Sequence, residues 1–236
     1  MDAMPQAGVF WYFSWLIPIV TAFRKSPMIQ NVEHNAAALR TRLKDLRAGQ
    51  PSIDTNRGAL LIRGRLFTWL ATNRSRLREQ GRTEPTTIAA FWPMAQEPDL
   101  RPLLLQWVEE EGINVCLPVV KEADAPLSFV EWTPETEMEK GRYGIEIPIS
   151  TKTMQPDIVL VPTLGYTRQG DRLGYGKGYY DRTLAALKEQ NHAFTSIGIA
   201  WAVGDLSGQA YQPAPHDQRL DSILTDKGWA VPAPEL

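Results

Sequence analysis

Cysteine and histidine are scarce in this chain, with one cysteine, Cys116, and three histidines among 236 residues. A lone cysteine excludes an intrachain disulfide and any multi-cysteine zinc site, which argues against a disulfide-stapled secreted domain and for a reducing compartment, the cytoplasm. An excess of either charge is missing too. Against 25 Lys and Arg stand 27 Asp and Glu, a net charge of −2, so the chain as a whole is not a polycation built to coat nucleic acid. A membrane-length apolar run is also lacking. The clearest apolar stretch, Val9 to Phe23, carries Pro18 and falls short of the roughly 20 apolar residues a spanning helix needs. It does not read as a secretory signal either, because Asp2 precedes it and Arg24 and Lys25 follow. Residues 1–30 read as an N-terminal extension dispensable for folding; a core or partner-binding segment is the second reading and membrane contact the third. Stable membrane association is not expected. What remains is ordinary globular composition, 43% hydrophobic and 22% charged, with 31–236 as a single folded domain.

From Asn31 onward the hydrophobic pattern switches repeatedly between helical and strand periods. Leu39, Leu43 and Leu46 form one face of a helix that ends before Gly49 and Pro51. A second helix is predicted from about Ile53 to Leu70, capped by Ser52 or Asp54. Thr87 to Trp92 reads as a strand, followed by a helix capped by Asp99 that runs through Leu103, Leu104, Trp107 and Val108 to Gly112. Ile113 to Val120, Leu127 to Trp132, Asp157 to Pro162, Ser196 to Trp201 and Ser222 to Leu224 read as strands, and Tyr180 to Gln190 as a helix. Strands interleaved with helices predict an α/β protein with a mainly parallel sheet covered on both faces.

Charge is segregated along the chain. Between Arg40 and Arg82 there are 11 Lys or Arg against three acids, and between Glu97 and Glu146 there are 12 acids against four bases. Arginines such as Arg74, Arg76 and Arg78 are expected first to solvate a helix face, and second to collect an anionic ligand. No RNA-binding, zinc-finger or helix-turn-helix signature accompanies them, so no nucleic-acid partner is expected.

The chemistry concentrates in Pro156 to Leu184, where an apolar strand leads into a loop with Gly165, Gly170, Gly174, Gly176 and Gly178 and a helix opens around Tyr179. Strand, glycine loop and helix make a phosphate-binding arrangement: glycines let backbone N–H groups approach an anion, and the helix start favours negative charge. Arg172 and Lys177 within the loop could neutralise phosphoryl oxygens. Asp181 reads equally as a Mg²⁺ ligand or as a helix-start charge. The spacing matches neither a Walker loop nor a dinucleotide fingerprint. Cys116, in an apolar strand, is expected in the core.

The string Arg172 to Arg182, RLGYGKGYYDR, closely resembles the signature of the 5-formyltetrahydrofolate cyclo-ligases, also called methenyltetrahydrofolate synthetases. The resemblance extends over roughly Ala36 to Val231 and includes Leu39 and Arg40, Phe91-Trp92-Pro93 with Glu97 and Asp99, Leu117 to Val120, Tyr143-Gly144-Ile145, and Pro215-His216-Asp217 with Asp221 and Thr225. It implies a three-layer α/β/α sandwich similar to sugar-phosphate isomerases and coenzyme A transferases; the chain is expected as a monomer or weak homodimer. It implies ATP- and Mg²⁺-dependent conversion of 5-formyltetrahydrofolate to 5,10-methenyltetrahydrofolate, with ADP and phosphate released. Under this resemblance Arg172, Lys177, Tyr180 and Asp181 are the catalytic set. Arg40, Gly174, Tyr175, Gly176, Lys177, Gly178 and Tyr179 would hold ATP. Glu97, Leu127, Phe129, Trp132 and Tyr143 would meet the folate, and Asp181 with Asp217 or Asp221 the metal. Trp132 reads equally as core, and His216 first as a loop histidine.

Two positions depart from the family pattern. Ala36 stands where the family has an ATP-contacting lysine, and Thr167 where an aspartate is common. A catalytically impaired binding relative is therefore the alternative to the enzyme, and an RNA-associated protein using the basic stretch is the third reading.

Overall fold

The computed structural model describes Met1 and the chain from residue 27 onward, with side chains from residue 35. The expectations for the Val9 to Phe23 run, and for the 1–30 extension before residue 27 apart from Met1, lie outside the described residues. Helix α1 spans Pro27–Ala48, α2 Ser52–Glu79, α3 Arg101–Glu109 and α4 Tyr179–Glu189. The strands are β1 (Thr87–Ala89), β2 (Asn114–Val119), β3 (Ser128–Trp132), β4 (Met138–Lys140), β5 (Glu146–Pro148), β6 (Ile158–Pro162), β7 (Gly165–Tyr166), β8 (Arg172–Leu173), β9 (Thr195–Ala200), β10 (Ser222–Thr225) and β11 (Gly228–Val231).

Seven strands form one sheet in the order β11-β10-β9-β6-β1-β2-β3. The five inner strands run parallel, while β3 and β11 close the two edges as antiparallel hairpin partners. Strand alternation sends successive side chains to opposite faces. Ile158 and Leu160 of β6 join Ile62, Leu66 and Leu70 of α2 and Leu104 and Trp107 of α3 on one face. Val159 and Val161 join Leu184 and Leu187 of α4 on the other. The result is a mixed α/β protein with helices on both faces of a mostly parallel sheet. A third cluster forms where α1 lays Leu39 and Leu43 against Leu164, Leu173 and Leu206. Cys116 lies fully buried in β2, and burial pushes its thiol up to about 12, so it packs as a core residue.

Several boundaries differ from the sequence reading. Helix α2 continues to Glu79 because its final turns are anchored: Leu77 is buried, and Arg74 and Arg78 both pair with Glu84, at 2.9 and 2.8 Å. Neither Ser52 nor Asp54 caps it; the carbonyl of Pro51 accepts from the N–H groups of Asp54 and Thr55. Asp99 does not cap α3, since Leu100 holds the cap position, although the Asp99 carboxylate still accepts from the Arg101 N–H at 3.0 Å. Strand β1 stops at Ala89, after which Phe91, Trp92 and the donorless Pro93 leave the sheet. Strand β11 and the small β4–β5 and β7–β8 hairpins were not foreseen. No described helix is long and apolar enough to cross a membrane.

The strand order reverses between β1 and β6: the chain moves from β1 outward to β2, then returns to β6 on the other side of β1. In open parallel sheets, the carboxyl ends of the strands at such a reversal leave a crevice. A cavity of about 1200 Å³ opens there, walled by Phe91 and Trp92 after β1, Pro118 and Val120 at β2, and Pro162 at the end of β6.

Candidate active site

The segment from Gly174 to Gly178 forms one wall of this cavity, outside any regular element, with α4 starting immediately after it. Its glycines do something the spacing alone does not reveal. A Cβ on Gly174 would overlap the Arg172 guanidinium, one on Gly176 would come within 3.1 Å of Arg40 Cζ, and one on Gly178 within 2.6 Å of Arg182 Nη1. Each glycine makes room for a cation. Gly176 also has φ of 88°, a conformation that side chains disfavour. The earlier part of the glycine segment is not all loop, because Gly165–Tyr166 and Arg172–Leu173 pair as the β7–β8 hairpin.

The cations are fixed by this geometry. Arg40, on α1, donates through Nε to the Gly174 carbonyl at 2.9 Å. Arg172 is buried and donates through Nη2 to Asp181 Oδ2 at 2.9 Å, with the Tyr180 ring 5.7 Å from its guanidinium carbon. Tyr211 donates its hydroxyl to the Arg172 carbonyl at 2.9 Å. Two buried polar atoms at this wall, Arg172 Nε and the Tyr180 hydroxyl, have no hydrogen-bond partner among the described residues. Burial raises the Tyr180 phenol well above its ordinary value, so it remains a neutral donor. Lys177 and Tyr179 stand at the mouth beside Tyr143: Lys177 Nζ lies 5.9 Å from the Tyr143 ring centre, and the two tyrosine hydroxyls are 3.3 Å apart.

Against the same loop Glu97 is buried, with a relative exposure of 9%. Its Oε1 accepts from the Tyr175 hydroxyl at 2.5 Å, and its Oε2 from the Met94 N–H at 2.8 Å. Burial raises the Glu97 carboxyl above the usual glutamate range, opposed by these two donors and by the charge of Arg47. Arg47 donates to Tyr175 from behind, at 2.9 Å. The apolar walls come from Phe91, Trp92, Leu117 and Leu127.

Of the residues singled out in the sequence, the cavity brings together Arg40, Glu97, Leu127, Tyr143, Arg172, Gly174 to Asp181 and Asp217. Phe129 and Trp132 do not line it; alternation along β3 turns them into the two cores, and Trp132 only backs the wall, 5.9 Å from Trp92. Asp221 also lies elsewhere. Its Oδ2 accepts from the Ser196 N–H and hydroxyl at 2.7 and 2.6 Å, which ties β10 to β9. Asp217 faces the cavity from the loop after Tyr211, with Oδ2 accepting from the Ala214 N–H at 2.8 Å. Arg47 and Tyr211 were missed. Arg40, Lys44 and Arg47 recur at i, i+4 and i+7, a spacing that could have marked one basic face of α1.

The family model for 5-formyltetrahydrofolate cyclo-ligases matches residues 32–226. The chain belongs to the 5-formyltetrahydrofolate cyclo-ligase family. Among its curated relatives, the 5-formyltetrahydrofolate cyclo-ligase of Mycolicibacterium smegmatis is 33% identical over 199 residues, covering 80% of this chain and 92% of that protein. That of Escherichia coli K12 is 30% identical over 157 residues, covering 64% and 76%. In fold, the chain resembles the 5,10-methenyltetrahydrofolate synthetase of Mycoplasma pneumoniae, with a TM-score of 0.60 and 23% identity over 81% of this chain and 99% of that one. The NMR structure of the Aquifex aeolicus 5,10-methenyltetrahydrofolate synthetase gives the same TM-score at 22% identity, covering 82% and 91%. The cavity of this cyclo-ligase family member therefore sits in a shared fold, and Ala36 lines it one helical turn before Arg40.

Proposed function

We propose that the protein closes the ring of 5-formyltetrahydrofolate to give 5,10-methenyltetrahydrofolate at the expense of ATP. Membership of the cyclo-ligase family carries this reading, and the cavity supports it: cations and a glycine loop, a buried carboxyl group tied to that loop through Tyr175, and flat apolar walls. The formyl oxygen is a poor leaving group. It attacks the γ-phosphorus of ATP and ADP departs; N10 then adds to the activated formyl carbon, the oxygen leaves as part of inorganic phosphate, and the N10 proton is lost. Such chemistry asks the protein mainly for alignment and charge stabilisation. Arg40, Arg172 and Lys177 neutralise phosphoryl oxygens around the glycine loop, and Tyr180 offers its otherwise unpartnered hydroxyl as a donor. Glu97 accepts hydrogen bonds from the pterin while Trp92, Leu127 and Tyr143 flank the rings.

Among the described residues no three His, Cys, Asp or Glu side chains cluster to form a complete metal site. Mg²⁺ is commonly held by one or two carboxylates together with substrate phosphates and water, and Asp217 at the cavity wall fits that donor set, whereas both Asp181 oxygens are already engaged, by Arg172 and by the Gln218 N–H. When bound there it would supply charge neutralisation on the phosphate oxygens. The direct test mixes the purified protein with 5-formyltetrahydrofolate, ATP and Mg²⁺ and follows methenyltetrahydrofolate absorbance. Growth that requires all three is the expected result; none with every component present would refute the assignment.

A further inference from the structure

Arg47 lies outside the cavity lining, yet it is held at both ends of its guanidinium in a place with almost no water. Its relative exposure is 4%; Nη1 donates to the Tyr175 hydroxyl at 2.9 Å and Nη2 donates to the Thr163 carbonyl just past β6. Tyr175 has a single hydroxyl proton. Because a guanidinium only donates, Arg47 takes a lone pair of the Tyr175 oxygen and leaves the tyrosine's proton for Glu97 Oε1, 2.5 Å away. The Met94 N–H takes Oε2 at 2.8 Å. Every one of these neighbours donates toward Glu97, so the carboxyl group is addressed as an acceptor on both oxygens.

We propose that Arg47 is a positioning residue for folate binding, setting the direction of the Arg47, Tyr175, Glu97 chain so that Glu97 stays an ionised acceptor for the N–H edge of the pterin. The inference rests on the proposed function. Burial works the other way, favouring a protonated Glu97, and Arg47 is the cation that opposes it. The other groups facing this chain are Lys44 of α1, whose Nζ lies 5.9 Å from the Tyr175 ring centre, and Tyr180 of α4, a neutral phenol whose own titration is raised partly by the Glu97 charge. Without Arg47, a protonated Glu97 can donate to Tyr175 instead, and the carboxyl group then offers the pterin one acceptor fewer.

Steady-state kinetics of wild type, Arg47→Gln, Arg47→Lys, Tyr175→Phe, Glu97→Gln and the Arg47→Gln/Glu97→Gln double variant, with each substrate varied across pH, test this. Arg47→Gln is expected to raise KM for 5-formyltetrahydrofolate about tenfold or more, the scale of one charge-assisted contact, with a clearly smaller rise in KM for ATP, since Tyr175 belongs to the glycine loop. The acid limb of kcat/KM for the folate should move to higher pH, and Arg47→Lys should restore part of both. The double variant should be no worse than Glu97→Gln alone, because both changes break one chain. An equal rise in both KM values, an unmoved acid limb, or losses that multiply in the double variant would overturn the proposal. If Arg47→Gln fails to fold, Tyr175→Phe cuts the same chain without touching α1, and an unmoved acid limb there overturns it as well. Wild-type protein without turnover contradicts the functional reading itself, whereas an active wild type with an indifferent Arg47 contradicts only the positioning role.

Discussion

Lys177 is an exposed cation of the cavity, held by little more than its approach to the Tyr143 ring. Its removal should therefore leave the fold intact and weaken the reaction. Lys177→Ala is expected to keep the wild-type melting temperature while kcat/KM for ATP falls about 10- to 150-fold, as for a lost charge-assisted contact of roughly 1.5–3 kcal/mol. Ala36 is the opposite case, an apolar residue on the cavity wall where the resemblance leads to the expectation of a lysine. It lines the cavity one helical turn before Arg40, whose Nε is already committed to Gly174. Ala36→Lys should lower KM for ATP, and Arg40→Ala should raise it with loss of order in the glycine loop; an Ala36→Lys variant with unchanged KM for ATP would place the triphosphate away from α1. Glu97 gives a pH signature with two opposite slopes. Its folded-state pKa is raised by burial, so the folded protein binds this proton more tightly than the unfolded chain. Its contribution to stability is present at low pH and is lost as pH rises from the ordinary glutamate value through the raised one. Activity, which needs the ionised acceptor, should rise across the same window. Urea midpoints measured over roughly pH 4 to 7 should show a stability decline in wild type that Glu97→Gln lacks.

At the scale of elements, each helix was legible through the face it buries, and the ends were not. The leucine spacing of α1 is visible in the sequence, but the reach of Arg47 depends on Thr163 and Tyr175, which lie 116 and 128 residues away along the chain. The last turns of α2 read as polar because Asn73, Arg74 and Arg78 occupy them, and what holds them is Glu84 and the chain terminus near Leu236, partners that helical periodicity does not encode. The same pairing accounts for the last part of the basic stretch: Arg74 and Arg78 meet Glu84 and Arg76 meets Glu235, whereas Arg40 at its start lines the cavity. Leu66, fully buried between α2 and the sheet, should cost about 2–5 kcal/mol when changed to alanine, read as a lower urea midpoint. Gly176→Ala should act differently. Its positive φ and the packed Arg40 make the loss local, with a small drop in melting temperature and a large rise in KM for ATP. A large drop in melting temperature with unchanged kinetics would mean that the loop serves the core and not the nucleotide.

For the molecule as a whole, interleaved strands and helices announced the parallel sheet and its two covered faces, because a strand buried on both sides must be apolar throughout, as Ile158 to Val161 are. The glycine string announced one wall of the cavity. The order of strands was not legible, and it is strand order that puts the crevice between β1 and β6. The fate of Phe129, Trp132 and Asp221 followed from the same gap: residue type suits them to a folate or metal site, but register turns the two aromatics into the cores and the aspartate onto Ser196. Fold and family then leave one chemical claim at the centre, that the formyl oxygen is converted into a leaving group by phosphorylation. Turnover of 5-formyltetrahydrofolate carrying ¹⁸O in its formyl group, with unlabelled ATP in unlabelled water, tests it most directly. The account predicts one labelled oxygen in each inorganic phosphate released, matched to each methenyltetrahydrofolate formed; label appearing in water, or unlabelled phosphate accompanying product, would contradict it.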